Sequence, residues 1–261
     1  MRNYKLPFIT FTFLSLLFAM TVFLPSCDSQ VFESELVENS HQSEVSGKEQ
    51  IRQIADSHNE YLEMAIQDFD YSTNKPLDEL QLRVLNEVPD LSREQAQESV
   101  EKNKKLFLDN LSQEGKVIVD RVVNEATSIN SLELFNLFIQ EQQLITQTEV
   151  DGQEQTAILI FLAVTANSAE LWLPVEMGGS GIGYDFLGKL AIRNGGSQKI
   201  SCLGSVIVAD GLAAAGGFVA LGVSIAIAGG PVTIGAAVGA LYVLAGEAAF
   251  SSATTAILNC L

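Results

Sequence analysis

The side chains that invite chemistry are few: Cys27, Cys202 and Cys260, His41 and His58, and two isolated carboxylates, Asp210 and Glu247. Cys202 and Cys260 bracket a stretch in which only Asp210 and Glu247 carry charge. Two thiols so placed either form a crosslink or stay buried and free. Asp210 and Glu247 stand at comparable distances from Gly229-Gly230-Pro231. An antiparallel pair of helices turning at that point would bring them within a turn or two of each other. Two readings follow. One is a proton-sensitive pair whose neutralisation lowers the cost of entering a membrane; the other is two carboxylates facing water near the base of the pair. Of the histidines, His58 falls on an apolar helix face, where a satisfied core residue is expected.

No spacing of His, Cys, Asp or Glu matches a metal site. Gly178-Gly179-Ser180-Gly181 lacks the Gly-Lys-Ser/Thr ending and the preceding strand of a phosphate loop, and no Gly-x-Ser-x-Gly occurs there. The residues therefore point to no catalytic group, metal, cofactor or small-molecule substrate, and the chain is expected not to be an enzyme.

The elements that must carry these residues read as all-α. Residues 201–261 are Gly- and Ala-rich, and the Gly-Gly-Pro turn signal divides them into two apolar halves of similar length. Each half is long enough as a helix to cross a bilayer. Small residues recur every fourth position: Gly222 and Ala226 before the turn, Gly235 and Gly239 after it. That spacing lets two helix backbones approach closely. Yet the tip carries no Lys or Arg, whereas Lys189, Arg193 and Lys199 precede the base, so charge gives no support for insertion from the cytoplasm. Glu247, Ser251, Ser252, Thr254 and Thr255 also make the second half mixed. Burial in lipid and burial beneath the chain's own helices both remain open.

Residues 48–175 read as an acidic bundle of amphipathic helices. Ile51, Ile54, Ala55, His58, Leu62, Ala65, Ile66 and Phe69 recur at three- and four-residue spacing. Pro76 and Pro89 bound a short helix, and Ser92 to Gln95 fits a capping box. Val117, Ile118, Val122 and Val123 leave helix and strand in competition. Leu134, Phe135, Phe138 and Ile139 are expected on the buried side of a fifth helix. Residues 156–172 are apolar nearly all round, as a central helix would be, and residues 176–200 read as a glycine-rich linker.

The start of the chain has its own logic. Arg2 and Lys5 precede an apolar run from Leu6 to Leu24, followed by Pro25-Ser26-Cys27. This end resembles the signal peptide and lipobox of bacterial lipoproteins, with Pro25 not the commonest residue at its position. The resemblance implies cleavage after residue 26, acylation of Cys27 and a place in the cell envelope on the extracytoplasmic side. The polar, acidic residues 27–47 then read as a flexible tether. With Cys27 acylated in an oxidising compartment, Cys202 and Cys260 are expected as a disulfide.

A formal charge of −17 excludes nucleic acid as a partner, because phosphate neutralisation needs clustered bases. Lys102, Lys104 and Lys105 sit among acids as a solvated face. The expected partners are membrane lipid and an envelope protein. The tail resembles, in composition, glycine-zipper segments of bacterial lipoproteins and hydrophobic bacteriocins, and the plan of bundle plus apolar hairpin is similar to pore-forming colicins. Residues 57–62 and 168–172 resemble phrases in uncharacterised Bacteroidota proteins, which imply no function. Three function classes follow: an envelope protein with a structural or interaction role, a membrane-active protein, and an immunity or inhibitor lipoprotein whose acidic face captures a basic toxin.

Overall fold

The computed structural model describes the backbone of residues 29–87, 93–195, 200–228 and 234–261. Side chains are described from residue 48 onward in those stretches, Gln95 and 223–242 excepted. The leader, Cys27, Ser92 and the expected tip at Gly229, Gly230 and Pro231 lie outside them. The fold is all-α: the described residues form nine α-helices and two short 3-10 turns, with no strand among them. In chain order these are α1 (Ser29–Gln67), α2 (Pro76–Glu87), α3 (Arg93–Asn110), α4 (Gln113–Thr127), α5 (Leu132–Glu149), α6 (Gly152–Trp172), α7 (Ile182–Arg193), α8 (Leu203–Ala228) and α9 (Ile234–Cys260). The first described backbone, from Ser29, is helical and lies within the stretch read as a tether.

Local signals set several ends. Pro76 opens α2 at a position where the missing N–H would have had no partner. Ser112 Oγ accepts from the Gly115 N–H and caps α4, and Ser131 Oγ does the same for α5 through the Leu134 N–H. The valine-rich segment left between helix and strand is helix, because Ile118, Val119, Val122 and Ala126 fall on one buried face with a cap in front of them. Pro174 stops α6. On α5 one expectation is overturned: Leu134 is 62% exposed, and the buried stripe runs instead through Leu132, Phe135, Ile139, Gln142 and Thr146.

Residues 47–261 share one core, to which the acidic helices and the apolar hairpin both contribute. At its centre is α8, packed on α3, α4, α6 and α9, while α2 and α3 cover α9. The glycine-rich stretch read as a linker holds α7, which buries Phe186, Leu187, Leu190 and Ala191. Gly183 lies on the Trp172 ring, where a Cβ would come 2.8 Å from Cδ2.

The glycines of α8 admit the helices around it. A Cβ on Gly204 would stand 2.8 Å from the Ala126 carbonyl carbon of α4, and one on Gly211 2.7 Å from the Phe161 oxygen of α6. One on Gly216 would stand 2.5 Å from the Asn103 oxygen of α3. Gly217 faces the other arm, against Leu244 and Glu247. Gly222, expected to serve packing within the hairpin, instead meets Gln153 of α6. Ala226 lies on α8 and Gly235 and Gly239 on α9, with side-chain surroundings outside the described residues.

Gly216→Ala must push backbone away, so we expect a loss of about 2 kcal/mol, the range for overpacking a core. Gly222→Ala meets only a mobile amide side chain, and its helix-propensity gain should leave stability within about 1 kcal/mol of the parent. Guanidinium unfolding of the two variants measures the contrast, and equal midpoints would refute it.

Candidate functional site

Cys202 and Cys260 close the base of the hairpin as a disulfide, with their Cα atoms 5.4 Å apart. Two turns above it lies a polar cluster buried in the centre of the bundle. Asp210 of α8, His58 of α1, and Ser168 and Trp172 of α6 are all fully buried, as is Ser252 of α9. The Asp210 carboxylate is where they meet. Ser168 Oγ donates to Asp210 Oδ2, and Ser252 Oγ donates to the same oxygen at 2.8 Å. Trp172 Nε1 donates to Ser252 Oγ at 2.9 Å, and His58 Nε2 stands 3.3 Å from Asp210 Oδ2.

The other side of the imidazole is tied to the surface. His58 Nδ1 is 2.9 Å from Asn59 Oδ1, and Asn59 Nδ2 donates to the Asn167 carbonyl at 2.8 Å. That donation turns the Asn59 oxygen toward His58 Nδ1, so Asn59 ties the imidazole to the backbone of α6. Outside it, Asp56, Glu60, Glu63 and Glu170 line a shallow acidic groove with Asn59 and Asn167.

Serine, histidine and aspartate are the residue types of a nucleophilic triad, but the order differs. In a triad the hydroxyl leans on the imidazole and the imidazole on the carboxylate. Here Ser168 and His58 both address the carboxylate, and the serine does not lean on the imidazole. What this arrangement does is crosslink: one carboxylate joins α1, α6, α8 and α9.

Glu247 sits apart. It is 6% exposed, and Asn103 Nδ2 of α3 donates to its Oε2 at 3.3 Å. Burial pushes its carboxyl above the ordinary glutamate value, with hydrogen bonds from Ser99 and Asn103 drawing it back. Asp210 and Glu247 are thus held by separate sets of donors rather than by each other. Helix register sets Asp210 level with Ser252 and Glu247 level with Gly217, seven residues further along α8, or about 10 Å at helical rise. Nor do the two carboxylates face water, since both are buried.

Two further polar residues of α9 have partners as well. Gln81 Nε2 of α2 donates to Thr254 Oγ1 at 2.9 Å, and Ser251 Oγ donates to the Ala209 carbonyl at 3.3 Å. Sequence reasoning placed His58 in the core but missed Ser168, Ser252, Trp172, Asn103 and Gln81. Ser168 within an apolar helix and Ser251-Ser252 within another were the available signals. No group of three or more His, Cys, Asp and Glu among the described residues could hold a metal.

The chain matches no family model, no curated protein and no solved structure.

A glutamate whose carboxyl is raised by burial takes up a proton on folding. Its contribution is then fully present below about pH 4.5, the ordinary glutamate value, and is lost as pH rises through the raised one. Glu247→Gln keeps an acceptor for Asn103 and removes that loss. We expect the variant to be more stable than the parent at pH 7 and to converge with it toward pH 4. Parallel stability profiles would show that Glu247 is not the source.

Proposed function

We propose that this is a lipid-anchored protein of the bacterial cell envelope, not a catalyst, with a structural or interaction role. In this reading the acidic helices hold an apolar hairpin out of water. The observation that carries it is the burial of the hairpin base. Among the described residues one segment, Ile200–Gly222, is long and apolar enough to cross a bilayer, and 83% of its most apolar window is covered by the chain's own helices. Lipobox-like Cys27 and a disulfide suited to an oxidising compartment support the location.

The anchor has a direct test. The parent should fractionate with membranes and carry an acylated Cys27 as its first residue by mass spectrometry. Cys27→Ser should be released to the soluble fraction; retention in the membrane without acylation would overturn the anchor.

A second reading, a membrane-active protein, is favoured by the hairpin's composition and its place as the central layer, covered by the acidic helices. Release of dye from liposomes by the delipidated chain at pH 7 and pH 5 separates the two. Leakage abolished by charge at the expected tip (Gly230→Lys) supports membrane attack, and no leakage at either pH rules it out.

A further inference from the structure

On α5 an apolar seam faces away from the bundle. The helix packs on α4 and α6 through its buried stripe. On the opposite side Leu134, Leu137 and Leu144 are 62%, 56% and 65% exposed. With exposed Glu141 they fall at successive intervals of three, four and three residues, the repeat by which one helix accepts another along its length. Exposed leucines so aligned are unlike the scattered apolar residues of an ordinary surface.

Charge selects the occupant. Glu133, Glu141 and Glu149 are the ionisable residues of α5, all are exposed, and the helix carries no base. Glu141 stands inside the seam, flanked along it by Leu137 and Leu144. A second copy would bring the same acids against these, and an anionic bilayer would be repelled. The cations across the groove on the other flank, Lys48 and Arg52, face Gln143 and Gln147, and Arg52 is engaged by Glu49 and Asp56. We propose that the outward seam of α5 docks a basic amphipathic helix of a partner protein, its apolar residues on the three leucines and a Lys or Arg opposite Glu141. This deepens the interaction role proposed above and rests on that role, but not on the anchor.

The probe is a synthetic helical peptide with leucines in the three–four repeat and lysines beside them, titrated against the full chain by calorimetry. The chain is held in phosphatidylcholine nanodiscs if it purifies with lipid and in buffer if it does not, so a failed Cys27 test leaves this one intact. Binding is expected, weakening at least tenfold with Glu141→Lys and at least tenfold with Leu137→Ser/Leu144→Ser. Both variants change exposed positions, and their melting curves should match the parent. A peptide of the same composition with scrambled leucines should bind at least tenfold more weakly. No binding, equal binding of the scrambled peptide, or indifference to both variants would overturn the proposal. So would a dimer, seen by sedimentation without peptide and dissolved by the leucine substitutions, since the seam would then belong to a second copy.

Discussion

An ionisable group in the middle of an apolar helix has to find its partners inside the protein, and that requirement shapes this bundle. Asp210 lies on α8, where almost every neighbour in sequence is Gly, Ala, Val or Ile. Two hydroxyls and an imidazole, from three other helices, converge on one of its oxygens. A buried charge left alone is far more costly than any one of these contacts is worth. The helices that supply the partners are thereby fixed in register as well as position: a shift of one residue on α1 or α6 would strand the carboxylate.

The same logic explains how a hairpin of membrane-like composition comes to be a core. Apolar burial is non-directional, and α8 taken alone would sit in many rotations. Glycines on three sides let α3, α4 and α6 approach to backbone contact, and the polar residues of α9 choose which face meets α2 and α3. Close contact supplies dispersion, and the hydrogen bonds supply specificity. The disulfide joins the two arms at the end where the short turn Ile200–Cys202 meets both helices.

Much of the fold was legible in the sequence. The amphipathic period of α1, the proline stops and the largely apolar α6 rest on local patterns that packing reinforces, whereas the pairing of Cys202 with Cys260 was expected from the compartment that the lipobox-like start implies. What was not legible depended on three-dimensional partnership. Nothing in the spacing of Leu134 and Phe135 says which faces the core, since both are apolar and one turn of helix separates two usable stripes. The recurrence of small residues at every fourth position was read as contact between the hairpin's arms, but one of them, Gly222, meets Gln153 of α6, and glycines outside that pattern, Gly204, Gly211 and Gly216, admit the surrounding helices. Asp210 and Glu247 were read as a pair because they are symmetric about the turn. Register offsets them, and each recruits its own donors from the acidic helices.

One feature gives the molecule a native optical reporter. Trp172 is the sole tryptophan of the chain, its ring is sealed from solvent, and its ring N–H is held by Ser252 on α9. Its emission reads one event, the seating of α9 against α6, with no competing indole signal to subtract. Any separation of hairpin and shell, whether by denaturant, acid or a lipid surface, would register as a red shift from the unlabelled protein.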